Sequence, residues 1–204
     1  LKKEDNDKIL CCAAQSGSIT CLKFMHKIIG ATDSYQRVLS VSALSGSLAC
    51  LMYARLVIKA TDNNDTLCCA ALSKNIKCLS YAFEVMKLKD VRKYVLMSAA
   101  LSGNIECLKY SHKVIQAFNL DNMALTFAAN SGNIECLTYT FENISRIHNR
   151  TTLSYAAKSG NIECLQYTHL IIQANDSNRK TLSYAAFSGN IECIRYCKNV
   201  LKIK

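Results

Sequence analysis

Twelve of the 204 residues are cysteines, and they are the side chains here with the widest chemical repertoire: metal ligand, nucleophile or disulfide partner. Seven form a ladder, Cys21, Cys50, Cys78, Cys107, Cys136, Cys164 and Cys193, in steps of 28 or 29 residues. A zinc site needs three or four ligand atoms converging within about 2.3 Å of one ion, and rungs a whole repeat apart cannot converge. The adjacent pairs Cys11-Cys12 and Cys68-Cys69 point about 100° apart if helical. Cys193 and Cys197, spaced i to i+4, offer two ligands at most. Disulfides fare no better, because neighbouring packed helices lie about 8–10 Å apart and a disulfide needs Cα atoms closer than about 7 Å. The pattern predicts free, metal-free thiols that fill tight core positions as small soft hydrophobes, in a reducing compartment. Among them Cys197 is expected to react most readily, followed by one or two of Cys11, Cys12, Cys68 and Cys69.

The other titratable side chains give no catalytic constellation. Three of the four histidines, His26, His112 and His169, share one register, which elsewhere holds Arg55, Phe83, Phe141 and Lys198. A position that accepts all of these is a half-exposed helix face, not a ligand set. A catalytic site needs one asymmetric arrangement of nucleophile, base and orienter, and residues fixed by a repeat do not supply it. No glycine-rich phosphate loop occurs. The expectation is a protein with no catalytic residues, no metal and no cofactor. An aromatic ladder three residues after each cysteine, Phe24, Tyr53, Tyr81, Tyr110, Tyr139, Tyr167 and Tyr196, admits two readings. With a formal net charge of +10 it resembles a stacking platform for single-stranded nucleic acid. Packing between repeats, hydroxyl at the edge, is the plainer reading and the one preferred.

The elements that position these residues follow from the repeat itself. A leucine stands three residues before a small pair in all seven copies, Leu10, Leu39, Leu67, Leu96, Leu125, Leu153 and Leu182. Self-similarity at such a period is the signature of a stacked-repeat fold. In the copy around Leu153, a short Ala-rich helix runs to Lys158 and stops at Ser159-Gly160, glycine supplying the left-handed residue. Asn161 then caps a second helix with Glu163 in its first turn. That helix is expected to run to about Ala174, with Asn175-Asp176-Ser177-Asn178 as a polar turn. The third copy is irregular, with Lys74 in place of glycine and Lys77 in place of glutamate. A non-glycine residue at positive φ costs about 1 kcal/mol, so a soft point is expected there. No apolar run approaches the roughly 18 residues of a membrane span.

The phrase Leu153-Ser154-Tyr155-Ala156-Ala157-Lys158-Ser159-Gly160-Asn161-Ile162-Glu163-Cys164-Leu165-Gln166-Tyr167 resembles the ankyrin core Leu-His-x-Ala-Ala-x-x-Gly-His-Leu-Glu-Val-Val-x-x-Leu. It is closer to a short ankyrin variant found in arrays in giant DNA viruses and some protists. Thr152 and Ser154 stand where that family has Pro and His, and the period is four or five residues short. The resemblance implies an all-α, right-handed solenoid of seven helix-turn-helix repeats with β-hairpin fingers reduced or absent, about 70 Å long at the interhelical spacing. It places one domain over residues 1–204, with repeats near 8–35, 36–64, 65–92, 93–121, 122–149, 150–178 and 179–204. It also implies a non-enzymatic protein–protein interaction scaffold serving as a substrate-recognition adaptor. The alternatives are a structural component of a viral particle or other assembly and, less favoured, a nucleic-acid-binding repeat protein. The implied setting is cytoplasmic (host cytoplasm or virion), with no membrane, as a monomer or part of a larger chain or assembly. Specificity is expected at the residue after each small pair, on the concave face: Gln15, Leu44, Leu72, Leu101, Asn130, Lys158 and Phe187. Leu44, Leu72 and Leu101 are expected to form an apolar stripe, with Ser45, Ser73 and Ser102 supplying hydrogen bonds at its rim.

Overall fold

The protein is described here by a computed structural model covering residues 3–33, 35–175 and 179–203. Among the described residues there are fourteen α-helices and no strand. They fall into two compact units, Leu1–Val95 and Leu96–Lys204. The first holds α1 (Lys3–Gln15), α2 (Ile19–Lys27), α3 (Val38–Leu44), α4 (Leu48–Leu56), α5 (Thr66–Leu72) and α6 (Ile76–Ser80). In it α1, α3 and α5 form one row and α2, α4 and α6 another. The second unit begins one residue inside α7 (Val95–Ser102). It continues with α8 (Ile105–Lys113), α9 (Ala124–Ser131), α10 (Ile134–Asn143), α11 (Thr152–Lys158), α12 (Ile162–Leu170), α13 (Thr181–Ser188) and α14 (Ile191–Asn199). There α9, α11 and α13 lie side by side, with α8, α10, α12 and α14 as the second row.

Each repeat is stitched by one tight turn. In the worked copy the Ser159 hydroxyl donates to the Ala156 carbonyl at 2.7 Å and accepts from the Asn161 N–H at 3.2 Å. Asn161 Oδ1 then accepts from the Cys164 N–H, capping α12, while its amide donates to the Gly132 carbonyl one repeat back at 3.0 Å. Asn75 and Asn190 make the same backward bond, to Gly46 and Gly160. One side chain thus satisfies an orphan helix donor and ties two repeats together. The residue between must turn left-handed: Gly46 has φ 71°, and a Cβ there would sit 3.3 Å from the Ser73 carbonyl oxygen. Lys74 adopts φ 65° without being glycine, as its place in the repeat demands.

The core is a set of ladders. Leu10, Leu39, Leu67, Leu96, Leu125 and Leu153 are buried on the short helices, as are the small pairs between α1 and α11. Leu22, Leu51, Leu79, Leu108, Leu137 and Leu165 are buried on the second helices. Each such leucine contributes about 1.5–3 kcal/mol of transfer free energy, so small helices of seven residues persist through packing rather than propensity.

Several expectations need correction. Helix α12 ends at Leu170, not near Ala174, because Gln173 adopts φ 58° and turns the chain left-handed past the helix end. In that end the Ala174 N–H donates to the Thr168 carbonyl at 3.1 Å. Lys59, Lys87, Gln116 and Lys202 hold the same register at φ 53–58°, so this stop carries no glycine signature outside Gly30. The polar turn at Asp176–Asn178 lies outside the described residues. Helix α1 starts at Lys3. The loops that replace fingers are held instead by a capping acid or amide. Asp33 Oδ1 accepts from the Arg37 and Val38 N–H groups, Asp90 Oδ1 from Tyr94 and Val95, and Asn119 Oδ1 from Ala124.

Candidate interaction surface

The thiols are settled by burial. Cys50, Cys78, Cys107, Cys136, Cys164 and Cys193 are fully buried, and among the described residues no cysteine is in a disulfide. Burial pushes the Cys78 and Cys136 thiols up to about 11 and Cys164 to about 12, so these three offer no thiolate at neutral pH. Among the described residues no group of three or more His, Cys, Asp or Glu is placed to hold a metal ion. Two expectations fail. Cys197 is fully buried, because its register holds small core residues in the five copies before it: Ala54, Ala82, Ser111, Thr140 and Thr168. Cys21, by contrast, is exposed. In the first copy the cysteine is open while Leu22 is covered; in the last, Cys193 is covered while Ile194 is half-exposed. The cysteine therefore faces the preceding repeat and the leucine the following one.

The aromatic ladder packs between second helices at Tyr53, Tyr139, Tyr167 and Tyr196, while Phe24 in the first copy is exposed. Tyr53 and Tyr139 are 7% and 9% exposed, and Lys23 and Lys109 stand over their rings at 5.9 and 5.6 Å. Each also meets the histidine one repeat earlier: His26 Nδ1 lies 3.0 Å from the Tyr53 hydroxyl and His112 Nδ1 3.0 Å from Tyr139. His169 and Tyr196 repeat the contact at 2.8 Å, and Phe141 meets Tyr167 edge-on with ring centroids 6.3 Å apart. The histidine register is therefore an inter-repeat contact position rather than merely a half-exposed face. With the Tyr53 and Tyr139 rings buried, no open stacking platform exists at those positions.

The seven predicted contact residues sit where the repeat places them, at the end of each short helix. None is buried, although Ala14, Ala43, Ala71, Ala100, Ala129 and Ala157 immediately before them are. Gln15 and Phe187 are exposed; Leu44, Leu72, Leu101, Asn130 and Lys158 are half-buried. The serines beside the leucines are not a hydrogen-bonding rim. Ser45, Ser73 and Ser102 spend their hydroxyls inside their own turns, donating to the Ser42, Ala70 and Ala99 carbonyls at 2.7 Å.

In the second unit two of the predicted residues come together. Lys158 Nζ stands 5.4 Å from the Tyr155 ring centroid, 5.7 Å from Tyr184 and 6.0 Å from Phe187. Tyr155 and Tyr184 pack edge to face, centroids 5.8 Å apart at 71°. Phe187 is 77% exposed, the most open of the large apolar side chains. Tyr155 and Tyr184 were not among the expected contact residues. The signal was present two residues after the register leucine, where the last three copies turn aromatic as Phe127, Tyr155 and Tyr184. A second apolar register, Ile28, Val57 and Val85 in the first unit and Val114, Ile171 and Val200 in the second, is exposed at the ends of the second helices and was also missed.

A family model described as ankyrin repeats in three copies matches residues 96–168 and again 125–200. Together the matches run from 96 to 200, just over half of the chain. The chain belongs to the ankyrin-repeat family. No curated protein sequence matches it. Ankyrin repeats are generally protein–protein interaction modules, and ankyrin-repeat proteins are typically non-enzymatic scaffolds. The helical pairs α7/α8 to α13/α14 are thus ankyrin units whose fingers are replaced by capped loops. No described helix is long and apolar enough to cross a membrane.

Proposed function

We propose that this ankyrin-repeat chain is a non-enzymatic scaffold that grips another protein through the face formed by its short helices, as a recognition adaptor in the cytoplasm. The observation that carries this reading is the register after the small pair. Its chemistry changes from copy to copy, Gln15, Leu44, Leu72, Leu101, Asn130, Lys158 and Phe187, while the alanine before it stays buried in six of them. A scaffold that fixes one position and frees the next writes specificity at the free one. Half-exposed leucines and an open phenylalanine are apolar side chains that a partner gains by covering.

The test uses Leu72→Asp. The full chain and the variant are compared for quantitative capture of proteins from cell lysate, with helix content and melting followed in parallel. A discrete partner whose binding falls at least about tenfold, equivalent to about 1.4 kcal/mol, with melting unchanged, supports the reading. A drop of several kcal/mol in stability instead makes Leu72 a core residue and overturns its role. Capture of nothing beyond copies of one assembly favours a structural component.

A further inference from the structure

We propose that the α11–α13 end of this face reads a carboxylate: an Asp or Glu side chain of a protein partner seats on Lys158, and a neighbouring apolar side chain of that partner lies on Phe187. This rests on the scaffold reading above and names the chemistry of its partner. The geometry sets up the ammonium in advance. A lysine in water samples many rotamers, and holding it in one costs entropy. Here three rings at 5.4–6.0 Å already hold it, through the attraction of a cation to aromatic faces. The edge-to-face packing of Tyr155 on Tyr184 fixes two of those rings relative to each other. The ammonium has three donors and no acceptor, and ring faces satisfy none of them as hydrogen bonds. Among the described residues Lys158 forms no ion pair, and the pairs of Arg92 with Asp65 and of Lys109 with Glu135 lie on other elements. The Tyr155 and Tyr184 hydroxyls likewise have no hydrogen-bond partner among the described residues.

Aromatic clusters of this kind also accept cations, so the sign of the partner has to be decided. The resident Lys158 decides it. A partner cation would have to expel that ammonium from the rings, and would approach a chain carrying a formal net charge of +10. A carboxylate approaches the same chain down its field and leaves the lysine where it is. Phe187, 77% exposed and next to the ammonium, then supplies the apolar contact that a surface ion pair alone lacks.

The experiment pans a library of short random peptides on the immobilised full chain, then measures enriched peptides by fluorescence polarisation. The comparison set is the wild type, Lys158→Met and Phe187→Ala, with circular dichroism confirming unchanged helix content. Expected is enrichment of Asp or Glu beside an apolar residue and a loss of at least about tenfold on Lys158→Met, equivalent to about 1.4 kcal/mol. Replacing the peptide acid by its amide should cost a similar factor, and the two losses should not add. Peptides rich in Lys or Arg overturn the proposal. Binding lost on Phe187→Ala but kept on Lys158→Met also overturns it while sparing the face. Peptides indifferent to both variants, or no enrichment at all, overturn the proposal and count against the face as well.

Discussion

Thiol reactivity follows from which side chains the repeat leaves uncovered. Cys12 and Cys21 are exposed, whereas the other ladder cysteines and Cys197 are covered. Cys68 and Cys69 are half-open, yet partial burial together with the Asp90 and Asp65 carboxylates pushes them up to about 12 and about 11. A thiol reagent attacks the thiolate, so native protein should show a fast phase of about two equivalents, mapping by mass spectrometry to Cys12 and Cys21. Fast labelling of Cys197 would contradict the burial found here. What made Cys197 misleading is instructive. A single i to i+4 cysteine pair draws the eye toward ligands, while the relevant signal was the column of small residues above it, Ala54, Ala82, Ser111, Thr140 and Thr168.

At the scale of the element, the sequence was most legible where geometry forces a residue type. The Ser-Gly-Asn turn, the asparagine cap and the buried leucine column all follow from helix termini that must be satisfied. The second helix end was not legible, because lysine and glutamine hold the left-handed position there and leave no glycine to read. The capping residues Asp33, Asp62, Asp90 and Asn119 share one register, twelve residues after Cys21, Cys50, Cys78 and Cys107, and that column was legible but not singled out. The pairing of second helices through histidine and tyrosine carries a pH consequence. Burial, with the Lys113 charge nearby, holds His112 below the ordinary histidine range. The unfolded chain then binds the proton more readily than the folded one. The His112 contribution is therefore complete above about pH 6.5 and is lost as pH falls through the lower folded value. Amides of α8 and α10 should lose hydrogen-exchange protection between neutral and mildly acidic pH, and His112→Phe, the residue used at Phe141, should flatten that dependence. An unchanged pH profile in the variant would assign the effect elsewhere.

At the scale of the molecule, a repeat protein is about as strong as its weakest copy, since each unit draws its stability from itself and its neighbours. The third copy gathers several weaknesses. Lys74 turns left-handed at φ 65°, which costs about 1 kcal/mol for a side-chain-bearing residue. Lys77 places a cation in the first turn of α6, where an acid such as Glu135 in α10 contributes about 0.3–1 kcal/mol. The helix itself keeps five α-helical residues and then relaxes into a π-turn over Tyr81–Val85, against ten residues in α10. The Lys74 and Lys77 substitutions were visible in the sequence; the π-turn was not, because Tyr81–Val85 follows the same apolar pattern as its counterparts. The summed deficit predicts that α6 amides exchange at least about tenfold faster than those of α10, a difference of about 1.4 kcal/mol in opening free energy. Lys74→Gly should recover about 0.5–1 kcal/mol of that gap, read as slower exchange in α5 and α6 with α9 and α10 unchanged. Equal protection of α6 and α10 in the parent chain would mean that packing of Leu67, Cys78 and Leu79 outweighs the backbone strain, and the third copy would not be where unfolding begins.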